Sequence, residues 1–463
     1  MNTDSVVFLS CFLPPVVLLY RLIPGKGVRN ILLLVASLLF YSFSGLSGLV
    51  ILAVCGALNY LSARLTEKGW GGKLLPGIMV AANLMLLIVY KYLNFVVCDV
   101  LGLPQMELSL VAPLGISFFV FKSISYQIDI YRKKNTAGSF LQFLLYISFF
   151  PQVMAGPITR FGDFCATLEQ PDTSFETFAA GLRRFTLGLS KKLLLAAVLG
   201  AAADQVFRLG GGQLSAALAW VGAISYLLQI YFDFSGYSDM AIGLGMVFGL
   251  TTQENFCYPY IAPTVGDFWR RWHISLSGWF RDYLYIPLGG NRKGTARTAL
   301  NKVIVFTLCG IWHGSAWTFL VWGLWHGLFT ALESLLPVKN WVRKLPGRIV
   351  GHIYTILVVM LGFVMFRAET VSGGMELISA MFTGGVATTS ATVLLHQILT
   401  GEYIFALIAG VVLCLPIVPW GKANPKLNKL AQPVSWIFCA VLFLLCLLKL
   451  ASGGFAPFIY AQF

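Results

Sequence analysis

Two histidines stand out for the company they keep. His313 lies in Ile311-Trp312-His313-Gly314, and His273 lies in the run Phe268–Asn291, FWRRWHISLSGWFRDYLYIPLGGN. Imidazole is the side chain best matched to taking a proton from a thiol or hydroxyl near neutral pH. A lone histidine in a buried helix is often only a packing residue. Around His313, however, the chain is almost free of ionisable groups, and an ionisable residue in such a segment marks a functional site by default. Arg270, Arg271 and Arg281 accompany His273, and guanidinium forks suit phosphate oxygens.

Between Phe268 and Arg297 six Lys/Arg (270, 271, 281, 292, 293, 297) face Asp282 alone, a net of +5. Thr264-Val-Gly-Asp267 opens the segment with a helix-capping pattern. Phe268, Trp269, Trp272, Leu276, Trp279, Phe280 and Tyr283 then recur at helical spacing on one face, with Arg270, Arg271, His273, Ser277 and Arg281 mostly on the other. This predicts an amphipathic helix at the inner membrane interface. Two uses stand open: binding anionic headgroups, or forming a cytoplasmic mouth for a phosphate-bearing donor.

The elements that position these residues follow from composition. Of 463 residues, 57% are hydrophobic and only 11% charged, against about 25% charged in an ordinary soluble domain. Runs such as Ile31–Phe40, Leu84–Val89 and Ile437–Leu448 are apolar on every side, unlike the alternating strands of a membrane barrel. An all-α polytopic membrane protein is expected, with about eleven transmembrane helices plus re-entrant or interfacial ones. The apolar run Val6–Tyr20 reads as a first span rather than a removed signal peptide. The net charge of +14 sits in loops between apolar segments, which points to anionic lipid and away from nucleic acid. The nine cysteines are scattered without a CxxC pair, so neither a disulfide framework nor a metal site is indicated.

Loop charge gives an orientation. Arg21–Arg29, Arg64–Lys73, Arg132–Lys134, Lys339–Arg348 and Lys422–Lys429 are basic, whereas Cys98–Ala112 and Thr370–Glu402 contain no Lys or Arg. The basic loops are expected in the cytoplasm and both termini outside. Val303–Leu336, flanked by Lys302 and Lys339, is too short for two ordinary spans with a turn. It predicts a hairpin turning inside the membrane, with Gly310, Gly314 and Ser315 as turn signals and His313 near the midplane. His326, in a second Trp-His-Gly, reads as structural. Asp233 and Asp239 read as residues at an irregular helix end, with Asp233 also a possible wall residue of a polar path. Pro151–Pro157 is a break that must be buried in protein or line a cavity. One membrane domain over 1–463 is expected, with a core at 85–335 and peripheral spans at 6–75 and 349–450.

Phe268–Asn291, Trp312-His313-Gly314 and Tyr231-Phe-Asp-Phe-Ser-Gly-Tyr-Ser-Asp239 together resemble the membrane-bound O-acyltransferase (MBOAT) family. Pro113-Leu-Gly-Ile-Ser-Phe118, Phe150-Pro-Gln-Val-Met-Ala-Gly-Pro157 and Leu288-Gly-Gly-Asn-Arg292 are most similar to its branch of bacterial alginate O-acetyltransferase membrane subunits. The resemblance implies a helical ring around a central tunnel. It also implies O-acetylation of a secreted polysaccharide acceptor, an acyl thioester donor such as acetyl-CoA, and no bound cofactor or metal. His313 matches the family's catalytic histidine and His273 its second polar position. Arg270, Arg271, Arg281, Trp269, Trp272 and Asn291 would hold the donor. The resemblance places the chain in a bacterial inner membrane and implies an extracytoplasmic SGNH-like serine-type acetyltransferase as its partner. D-alanyl transfer to teichoic acid is the alternative within the family. A polysaccharide or lipid transporter is the alternative outside it, and would call for coupling-ion carboxylates and repeat symmetry.

Overall fold

The computed structural model describes residues 3–453 apart from 107, 109, 211, 337, 343, 387 and 418–424. Glu107, Arg343, Lys422 and the end of the chain, on which part of the orientation argument rests, lie outside the described residues. Among the described residues the secondary structure is helical, with one isolated bridge, Ser215 to Gly385, outside the helices. Among the described residues six helices are long and apolar enough to cross a membrane, or seven if the pair Thr389–Ile398 and Gly401–Leu413, bent by 68°, is one span. The expected eleven is not reached on length and composition. Several apolar stretches form shorter helices, such as Leu13–Leu22, Lys26–Ser42 and Ile116–Tyr131.

The chain divides into two compact units. The first holds the residues up to Phe185 together with Tyr237–Glu254. Its helices join through polar side chains rather than through apolar contacts alone. Asn83 donates to Asn59 Oδ1 at 2.8 Å, and Gln127 Nε2 donates to the Asn59 carbonyl at 2.6 Å. Interhelical amide bonds of this kind supply specificity where burial of apolar surface supplies little. Pro151–Pro157 is buried in protein, as the break requires, and Gln152 is held by Thr159 and Thr252. Arg184 pairs with Asp239 at 2.8 Å and with Glu254.

The second unit holds Thr186–Gly236 and the residues from Asn255 onward. Asp233 and Asp239 do not sit at a helix end: Ala216–Val247 is one continuous helix of 32 residues. What looked like interruption is ion pairing, with Asp233 accepting from Lys192 Nζ at 2.7 Å, both side chains buried. The carboxylate is thus neutralised internally, unlike a coupling-ion site.

Thr295–His313 and Trp317–Leu335 form a hairpin with arms of 19 residues each, or about 28 Å, longer than the arms on which the expected turn inside the membrane rested. The sequence estimate counted only from Val303; the helix begins earlier because Thr295–Lys302, though polar, continues it. Gly310 does not turn the chain. It lies inside the first arm, where a Cβ would strike the Phe319 carbonyl and crowd Gly323. Gly323 and Gly327 in turn face the Phe306 carbonyl and Val303. The two backbones approach so closely because these positions lack side chains. Gly314–Ala316 makes the turn itself.

Two stability predictions follow from this packing. Gly323→Leu forces the arms apart, an overpacking cost of about 1–3 kcal/mol, and is expected to lower the thermal midpoint and the monodisperse fraction of detergent-purified protein. Lys192→Met removes the ammonium that faces the buried Asp233 carboxylate, at a cost of about 3–5 kcal/mol, while the double change with Asp233→Leu recovers most of it. Melting curves of the three proteins check this.

Candidate active site

The segment expected to be one amphipathic helix is two, Val265–Arg271 and Ile274–Phe280, followed by a wider-wound turn Arg281–Tyr285. The break falls on Trp272, which is extended, and His273, whose φ of 43° is left-handed. A non-glycine residue there is held by its surroundings at a cost of order 1–3 kcal/mol. Asn255 holds it. Its carbonyl accepts from Ile274 N at 2.9 Å, and its Oδ1 accepts from Ser275 N at 3.2 Å and Ser275 Oγ at 2.9 Å. The aromatic side is buried in protein rather than laid on lipid, with Phe268, Trp269, Trp272, Trp279 and Phe280 all in the core.

His273 is accordingly 1% exposed and parted from the arginines that share its run. Its Nδ1 lies 3.1 Å from Asn255 Oδ1. The backbone donor Ser275 N fixes that Asn255 atom as oxygen, so Nδ1 of His273 must donate to it. The ring's other nitrogen, Nε2, then carries a lone pair and has no hydrogen-bond partner among the described residues. Phe234 meets the ring edge-on at 4.6 Å. A neutral imidazole held in this tautomer can accept a proton at Nε2.

The first helix is anchored to the hairpin. Glu333, on the second arm, accepts from Val265 N at 2.6 Å and Gly266 N at 2.8 Å, while Thr264 Oγ1 accepts from Asp267 N at 3.0 Å, as its capping pattern predicts. A carboxylate at a helix N-terminus satisfies open donors and complements the dipole.

A pocket of about 260 Å³ opens beside this anchor. Trp269, Leu276, Phe280, Val305 and Phe306 give it apolar walls, and Arg270, Arg281 and Lys302 supply positive charge. Lys302 is fixed by the Thr330 carbonyl at 3.0 Å and Ser334 Oγ at 2.6 Å. Arg270 and Arg281 each lean on a neighbouring carboxylate, Asp267 at 3.1 Å and Asp282 at 2.8 Å, with both guanidinium groups exposed. Cys309 also lines the pocket. It precedes His313 by one helical turn on the same buried helix face. His313 packs edge-on against Trp322 at 5.0 Å and Phe366 at 5.2 Å.

Of the residues expected to hold a donor, Trp269, Arg270 and Arg281 are therefore brought together. Arg271 is committed elsewhere, to Asp267 at 2.9 Å and the Cys257 carbonyl at 3.3 Å. Trp272 is buried in the aromatic core and Asn291 is exposed on a turn; neither lines the pocket. Lys302, Asn255 and Glu333 were not singled out from sequence as site residues. A second cavity, about 360 Å³, is lined by Gln152, Thr159, Asp163, Thr251, Thr252 and Gln253 among others, and among the described residues its lining includes no Lys or Arg to meet a phosphate.

Residues 37–373 match the model of the MBOAT, membrane-bound O-acyltransferase family. The chain belongs to that family and is a polytopic membrane O-acyltransferase. It is 36% identical to the probable alginate O-acetylase AlgI of Azotobacter vinelandii and 38% identical to that of Pseudomonas putida, over 100% of each chain in both cases. It is also 33% identical to the peptidoglycan O-acetyltransferase of Helicobacter pylori, over 82% of this chain and 79% of that one.

Replacing Asn255 by Leu releases both the left-handed turn and the His273 tautomer. Turnover is expected to fall about tenfold, the size of one lost hydrogen bond, as measured by labelled acyl transfer in detergent.

Proposed function

We propose that this O-acyltransferase moves an acetyl group from a cytoplasmic thioester, acetyl-CoA, to an acceptor beyond the inner membrane for O-acetylation of a secreted polysaccharide. One observation carries the reading: the cationic, apolar-walled pocket of Trp269, Arg270, Arg281 and Lys302 includes Cys309, one turn from His313. The three cations suit the donor's phosphates, and the apolar walls suit its arm once desolvated. With Lys302 at the cytoplasmic interface, the helix to His313 runs about 16 Å inward, near the middle of a ~30 Å hydrocarbon layer. The relatives named as alginate and peptidoglycan O-acetylating proteins support an acetyl group and a glycan.

In this mechanism His313 takes the proton from the acceptor hydroxyl as its oxygen attacks the thioester carbonyl. The C–S bond breaks, a C–O bond forms, and the proton passes to the departing thiolate. His273, with its lone pair on Nε2, aids proton transfer or positions the donor. An SGNH-like partner outside the membrane would supply a serine hydroxyl as the intermediate acceptor and pass the acetyl group to the polysaccharide. Loop charge supports both termini facing outward.

Reconstitution tests this. In vesicles with labelled acetyl-CoA confined to the cytoplasmic side and the partner on the other, wild type is expected to acetylate the partner. His313→Ala is expected to lose about 10²–10⁴-fold, and Arg270→Ala with Arg281→Ala to raise the KM for donor more than they lower kcat. Undiminished acetylation by His313→Ala would remove the assignment. Label crossing without covalent transfer would favour transport.

A further inference from the structure

His326 is fully buried, at 0% exposure, in the second arm of the hairpin. Trp269 Nε1 donates to its Nδ1 at 3.3 Å. Indole N–H only donates, so Nδ1 must carry the lone pair and the imidazole proton sits on Nε2. That second nitrogen has no hydrogen-bond partner among the described residues, and a Cβ at Gly362 would lie 2.6 Å from it. A buried polar atom left unmatched costs about 1–3 kcal/mol. Leucine or phenylalanine would fill the space without that cost, so packing alone is a poor account of a histidine here.

The ring's neighbours supply a better one. Trp269, Trp322 and His326 touch one another pairwise, with centroids 5.6 Å apart for the two indoles and 5.1 and 5.2 Å from each indole to the imidazole. Trp269 is a wall of the cationic pocket, and Trp322 is the ring on which His313 rests. His326 therefore touches both the ring that shapes the pocket and the ring that seats the reacting imidazole. We propose that His326 is a positioning residue: through its bond to Trp269 it fixes the pocket wall, and through Trp322 it sets the orientation of His313. The pocket-wall role is independent of what the pocket binds; its kinetic consequence rests on the donor reading above.

The test uses the full-length enzyme in detergent with His326→Leu, His326→Asn, Trp269→Phe and the double variant Trp269→Phe/His326→Leu. Asparagine can present Oδ1 near the place of the histidine Nδ1, so it retains the acceptor. The first readout is the rate of Cys309 alkylation by N-ethylmaleimide without donor, followed on its own peptide by mass spectrometry. The second is KM against kcat for acetyl-CoA. His326→Leu and Trp269→Phe are each expected to change both the alkylation rate and KM by about five- to tenfold, the size of one hydrogen bond. The double variant is expected to add nothing further, as for two residues acting through one contact, and His326→Asn to stay within about twofold of wild type. Wild-type alkylation and KM in His326→Leu or Trp269→Phe would overturn the proposal. So would simple additivity in the double variant, or His326→Asn as impaired as His326→Leu. Should His326→Leu fail to fold, Trp269→Phe and His326→Asn decide it alone. If wild type does not turn over acetyl-CoA, the donor reading fails while the alkylation arm still tests the positioning role.

Discussion

The site depends on one constraint, the approach of two helix backbones at Gly310, Gly323 and Gly327. Were these residues any larger, Thr295–His313 and Trp317–Leu335 would stand apart by the width of a side chain. That separation decides which groups can meet. Lys302 reaches Thr330 and Ser334 across the gap, His313 reaches Trp322, and Glu333 is left free on the outer side to cap Val265–Arg271. The cationic pocket forms in the angle between that capped helix and the first arm. Small residues at a helix contact thus act at a distance, by fixing a frame on which polar groups need little further support.

Around the two histidines the protein has placed aromatic rings. Phe256, Trp272, Phe363 and Phe366 run in successive contacts from the surroundings of His273 to those of His313. Rings exclude water without competing for the imidazole nitrogens, and they hold each imidazole by edge contacts that tolerate no large rotation. Two hydrogen bonds set tautomers, Asn255 on His273 and Trp269 on His326. Such preorganisation would serve the proton transfer proposed for His313.

Much of this was legible in the residues. The membrane class followed from charge content and a hairpin from its flanking cations. The family resemblance supplied the chemistry, and the match over residues 37–373 bears the family out. What escaped was tertiary. A helical period persisted through Trp272 and His273 because aromatic and basic spacing carries no trace of a left-handed turn imposed by Asn255, which lies outside the run. Gly310 looked like a turn former, since a glycine's reason for being is set by what approaches it. His326, separated from His313 by a dozen residues, gave no sign that Trp322 would join them. Asp233 was ambiguous until Lys192 appeared beside it.

In the mechanism proposed, a thioester meets His313 beside the pocket bearing Arg270, Arg281 and Lys302. Its most direct test is protection of Cys309 in purified protein. A non-reactive acetyl-CoA analogue should slow alkylation of the Cys309 peptide in wild type and in His313→Ala alike, and leave the exposed Cys11 and Cys257 unaffected. Equal alkylation of Cys309 with and without saturating analogue would contradict the account.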